Sequence, residues 1–116
     1  MKDNIDKYLP LSTASLHILL ALAGGDLHGY GIMQEIEQQS DGNYKLGPGT
    51  LYDNLQKLLA DGLVESTIRR DAPSSRGRHY RLTFVGRGVL TADISRLESA
   101  FRKAKLQLNF GKPGRA

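Results

Sequence analysis

Apolar residues recur along this 116-residue chain at helical spacing in four stretches and alternate with polar ones in a fifth. The most sharply bounded stretch is Gly47–Gly62. Leu51, Leu55, Leu58 and Leu59 fall at i, i+4, i+7 and i+8, one apolar stripe of a helix. Gly47, Pro48 and Gly49 break whatever precedes it, and Thr50 stands where an N-cap or first-turn residue is wanted. Gly62 supplies the residue on which many helices end. Asp53, Lys57 and Ala60 point away from the leucines, with Thr50 and Asn54 on the shoulder and Tyr52 on the flank toward Gln56. This outer face is small, polar and almost uncharged overall, which suits a helix that enters a groove and offers hydrogen-bonding groups.

The pattern then changes period. Leu63–Arg70 is rich in β-branched residues, and Arg78–Thr83 alternates, with Tyr80 and Leu82 on one side and His79, Arg81 and Thr83 on the other. Residues 71–77 between them have loop composition. A helix followed by a hairpin with arginines at its outer end predicts a winged helix-turn-helix. Two helices precede it. One is capped by Ser12 or Thr13 and runs to about Ala23, with Leu16, Leu19, Leu20 and Ala23 as its expected buried stripe. The other begins near His28 and turns Ile32, Met33 and Ile36 inward. Gly29 and Gly31 each weaken that helix by ~1 kcal/mol relative to alanine, so close packing against a neighbour is expected to compensate. Tyr44–Leu46 reads as a short strand pairing with the hairpin.

The last helix, 84–108, has a narrower stripe. Leu90, Ile94, Leu97, Phe101, Ala104 and Leu108 are spaced 4, 3, 4, 3, 4, a heptad seam on an otherwise polar helix. Such a seam pairs with another helix, and its own copy is the expected partner. The fold class is thus mainly α with a small β-hairpin, a winged helix-turn-helix plus a C-terminal dimerisation helix. The expected divisions are an N-terminal arm (1–11), the DNA-binding domain (12–83), the dimerisation helix (84–108) and a disordered basic tail (109–116).

Charge sharpens this reading. The formal charge is +4, but residues 1–46 carry −3, residues 47–81 +2 and residues 82–116 +5. The middle and the tail are the parts suited to a polyanion. There is no cysteine, which excludes disulfides and thiolate chemistry and fits a reducing cytosol. No apolar run approaches the ~20 residues of a membrane span. The three histidines have no metal-ligand spacing, and neither a phosphate loop nor a Ser-His-acid order is present, so no cofactor and no catalysis are expected.

Several blocks together resemble one family. Leu27–Ile32 (LHGYGI), Pro48–Tyr52 (PGTLY), Leu55, Leu58, Asp61–Val64 (DGLV) and Tyr80–Gly86 (YRLTFVG) are similar, in order and spacing, to the PadR family of bacterial transcription regulators, over roughly residues 12–90. The length and single C-terminal helix resemble its short members. The resemblance implies a dimeric repressor whose C-terminal helix, with the N-terminal one, forms the dimer interface. Its recognition helix and wing would read a palindromic operator in double-stranded DNA, and a small-molecule effector or another signal would release it. It also links Tyr52 to DNA contact.

The candidate DNA-binding residues are therefore Thr50, Tyr52, Asn54 and Lys57 on the helix, and Arg69, Arg70, Arg76, Gly77 and Arg78 around the hairpin tip. Asparagine can bond adenine bidentately, and lysine can reach a guanine edge or a phosphate. Asp53 repels phosphate and reads best as helix-dipole support. The wing arginines could lie on phosphates or enter the minor groove. The candidate dimer interface is Leu16, Leu20, Leu90, Ile94, Leu97, Phe101, Ala104 and Leu108. His28 and Tyr30 read as capping and packing residues at a helix start. The alternative function is a winged-helix protein-interaction module that does not bind DNA.

Overall fold

The computed structural model describes residues 3–68 and 78–108. The elements follow in the order α1 (Asp3–Asp6), α2 (Thr13–Leu22), α3 (Gly29–Gln39), α4 (Pro48–Ala60), β1 (Val64–Ile68), β2 (Arg78–Leu82) and α5 (Phe84–Leu108). Helices α2, α3 and α4 pack on one another, and the antiparallel β1–β2 ribbon closes one side. Val64 faces Leu82 and Ser66 faces Tyr80 in that ribbon. Ile18, Leu19, Leu22, Ile32, Ile36, Leu51, Leu55, Leu63, Val64 and Val89 are buried almost completely, so all three helices and the ribbon share one core with the start of α5.

Local chemistry sets the helix ends. Ser12 caps α2 by accepting from the Ser15 N–H, and His28 caps α3 by accepting at Nδ1 from the Gly31 N–H. Helix α4 begins earlier than Thr50. Gly47 is its N-cap without a side-chain bond, and Pro48 occupies the first turn, where no N–H is needed. At the other end Gly62 has φ 74°, the Gly62 N–H bonds the Leu59 carbonyl, and the Leu63 N–H bonds the Leu58 carbonyl. This is a Schellman closure, sealed by the buried pair Leu58 and Leu63. Thr83 ties the end of α4 to the start of α5. Its hydroxyl donates to the Gly62 carbonyl at 2.7 Å and accepts from the Gly86 N–H at 2.9 Å.

Three expectations are corrected. Tyr44–Leu46 forms no strand: the Ser40 hydroxyl bonds both the N–H and the carbonyl of Tyr44, whose ring stacks on His17 at 4.6 Å. The residue that pairs with the hairpin is Leu27, bonded through both backbone groups to Tyr80. On α2 the buried side is Ser15, Ile18, Leu19, Ala21 and Leu22, while Leu16, Leu20 and Ala23 are only partly covered. That helix is apolar nearly all round, so packing rather than pattern selects its inner face. In the seam, Leu90 belongs to the chain's own core, because the first half of α5 packs on α1 and α2.

The arm contains the short helix α1, and Ile5, Tyr8, Leu9 and Leu11 pack against the core. Beyond Leu90 the seam is bare: Ile94, Leu97 and Phe101 are 40%, 36% and 56% exposed, and Leu108 is exposed too. Ala104 is half-buried. The expected basic tail, 109–116, lies outside the described residues.

Candidate nucleic-acid interface

The three buried leucines Leu51, Leu55 and Leu58 fix how α4 is rotated, and this decides what faces outward. Thr50, Tyr52, Asp53, Gln56, Lys57 and Ala60 are exposed. Gln56 was not among the residues expected at the site, yet it lies on the same open face. The signal for it was its position three residues after Asp53. Asn54 differs from the others. It is half-buried, and its amide bonds the Thr50 carbonyl and the Ser15 hydroxyl.

Tyr52 packs across the start of α3. A Cβ at Gly29 would collide with the Tyr52 hydroxyl, so this glycine is what allows α4 to approach so closely. The compensation expected for the weak start of α3 is therefore present at Gly29. The Tyr52 ring is nevertheless 46% exposed. It stands close enough to the buried Tyr80 phenol to help raise that group's pKa; burial is the larger cause, and Arg78 opposes both.

The wing is attached to the helix-turn-helix by three consecutive cross-pairs. Asp26 meets Arg81 at 3.2 Å, Leu27 makes the backbone bridge to Tyr80, and the His28 ring lies edge-on to His79 at 5.8 Å. Arg81 also reaches Glu65 at 3.4 Å. Its hydrogen bond to Asp26, with the charges of both carboxylates, holds the guanidinium above its ordinary pKa. That arginine is committed to the scaffold. Arg78, three residues further out and on the other face of the ribbon, is exposed and donates to Ser66 Oγ at 3.4 Å. Arg69, Arg70, Arg76 and Gly77 lie outside the described residues. His28 acts as the cap expected of it, whereas Tyr30 does not pack inward: it is 63% exposed, with its ring parallel to His28.

Three packed helices, the last with an open polar face, and a two-stranded wing define a winged helix-turn-helix protein. Comparison with known proteins carries this further. Residues 18–92 match the model of the Transcriptional regulator PadR-like family, and the chain belongs to that family. It is 41% identical over 88 residues to transcriptional regulator Rv3488 of Mycobacterium tuberculosis, covering 76% of this chain and 78% of that one. Among solved structures, a transcriptional regulator from Clostridium thermocellum superposes with a TM-score of 0.64 at 26% identity, over 97% of this chain and 98% of that one. Bacillus subtilis PadR in complex with operator DNA superposes with a TM-score of 0.62 at 23% identity, over 72% of this chain and 46% of that one. The protein is thus a transcriptional regulator of the PadR-like family, a family of regulators and not of enzymes. Among the described residues, no helix is long and apolar enough to cross a membrane.

Proposed function

We propose that the protein is a homodimeric, sequence-specific DNA-binding repressor of an inverted-repeat operator. The observation that carries the reading is the orientation of α4: three leucines lock one side into the core, and Thr50, Asp53, Gln56 and Lys57 stand bare on the other. That helix would enter the major groove, with Gln56 and Lys57 offering groups that match adenine and guanine edges. Tyr52 and Arg78 flank it and would bond phosphates, as would the wing residues Arg69, Arg70 and Arg76. The net positive charge of the second half of the sequence makes binding salt-dependent.

The bare seam of α5, Ile94, Leu97, Phe101, Ala104 and Leu108, would pair with the same seam of a second copy. Leu16 and Leu20 would be covered at its edge. A two-fold dimer would set two α4 helices about one DNA turn (~34 Å) apart, which is why the operator should be an inverted repeat. A small-molecule effector or another signal that changes the angle between the two wings would release the DNA. Selection of binding sites from random DNA by the purified protein, near physiological salt, tests the reading. An enriched inverted repeat is expected. A folded, dimeric protein that enriches no sequence would replace this reading with that of a protein-interaction module.

A further inference from the structure

Three elements reach the same end of the molecule. The segment leading into α3 runs along β2 toward its outer end, pairing Asp26 with Arg81, Leu27 with Tyr80 and His28 with His79 in turn. Helix α3 therefore starts level with Arg78, the outermost described residue of β2. Tyr52, near the start of α4, lies against Gly29 in the first turn of α3. The start of α3 thus stands between α4 on one side and the ribbon on the other, and Tyr30 is 63% exposed there. Its ring lies parallel to that of His28 at 6.5 Å, and the His28 ring meets His79 edge-on at 5.8 Å. Among the described residues, no hydrogen bond engages the Tyr30 hydroxyl.

A DNA backbone that runs from Tyr52 to Arg78, the two phosphate contacts proposed beside α4, crosses the start of α3. Resting on that reading, we propose that Tyr30 is a further DNA-binding residue, whose hydroxyl donates to a backbone phosphate between those bound by Tyr52 and by Arg78. The chemistry matches: a tyrosine hydroxyl can donate, a phosphate oxygen accepts, and a ring with two torsions loses little freedom when it is ordered. Tyr30 stands on α3 and not on the helix that enters the groove, so its contact carries no sequence information. It is also uncharged, so its contact releases no counterion. The first property separates it from Gln56 and Lys57, and the second from Arg78.

Tyr30→Phe removes the hydroxyl and keeps the ring. Affinity of the full-length protein for operator and non-operator DNA, measured across a salt series with thermal unfolding alongside, tests the proposal. Both affinities should fall by a similar factor, about tenfold or more, the scale of a hydrogen bond to a charged group. The salt slope, the selected sequence and the melting temperature should stay as in the wild type, whereas Arg78→Ala should lower the slope. Operators with single phosphates replaced by uncharged methylphosphonates locate the contact. At one phosphate of each half-site the replacement should weaken the wild type clearly more than Tyr30→Phe. A Tyr30→Phe variant that binds both DNAs like the wild type overturns the proposal, while the operator reading stands. So does a changed base preference, a melting temperature that falls with the affinity, or a loss that is the same at every replaced phosphate. A wild type that binds no DNA removes the operator reading and the proposal with it.

Discussion

Helices α4 and α5 carry apolar stripes of similar spacing, and the chain treats them differently. On α4, Leu51, Leu55 and Leu58 are covered by α2, α3 and β1 until 3% or less of each remains exposed. On α5 the stripe starts in the core at Val89 and Leu90, then runs out past the end of the scaffold with Ile94, Leu97 and Phe101 uncovered. An apolar stripe is a demand for cover, and only the three-dimensional arrangement says whether the chain itself meets it. Isolated exposed apolar residues are ordinary, but a heptad series of them on one helix face is not. The contrast divides the molecule into a helix-and-ribbon part that covers its own apolar stripes and a long helix that leaves the outer part of its stripe open.

Substitutions can break this contrast. The largest effect is expected from Leu55→Ala, which removes a buried side chain at the centre of α4. Folding stability should fall by about 2–5 kcal/mol, read from the denaturant midpoint. A loss below ~1 kcal/mol would mean that α4 is not held as described. Leu97→Glu should leave the fold intact and separate the dimer, weakening association by ~2 kcal/mol or more, as truncating the centre of an interface does. An unchanged sedimentation profile would remove Leu97 from the seam. Lys57→Ala with Gln56→Ala should lower operator affinity by ~1–3 kcal/mol per lost base contact and affinity for other DNA by less. Equal losses on both would make these residues electrostatic only. The smallest expected effect is Thr83→Ala, which removes the α5 cap and its bond to Gly62. It should cost about 1 kcal/mol of stability, and an unchanged melting temperature would show that the cap contributes nothing.

Much of the scaffold was legible because local chemistry and pattern agreed. Gly62 ends α4 where its backbone freedom is needed, Ser12 caps α2, and the change of period after Leu63 marks the ribbon. What was not legible depended on partners distant in sequence. Leu16 and Leu20, in the expected stripe of α2, are no less apolar than Ile18 and Leu22 on the other side, and only the positions of the packed elements show that the second pair is the buried one. Tyr44–Leu46 has strand-like residues, but the backbone groups of Tyr80 on the ribbon are taken by Leu27. Asn54 has a groove-reading side chain at a shoulder position, and nothing near it in sequence announces Ser15, 39 residues earlier. Gln56 is not among the expected site residues, although helical geometry alone places it on the open face. The family resemblance was carried by blocks that the structure puts to work: His28 as a cap, Gly29 beneath Tyr52, and Thr83 joining α4 to α5.

On the proposed function, a two-fold dimer would present two α4 helices about one DNA turn apart. The most direct test takes the selected operator and varies the spacing between its half-sites one base pair at a time, measuring affinity at fixed salt. Strong binding is expected at one spacing, with centres about 10 base pairs apart, a steep loss at half a turn more, and no comparable binding to a single half-site. Affinity that ignores the spacing, or that one half-site supplies in full, would contradict it.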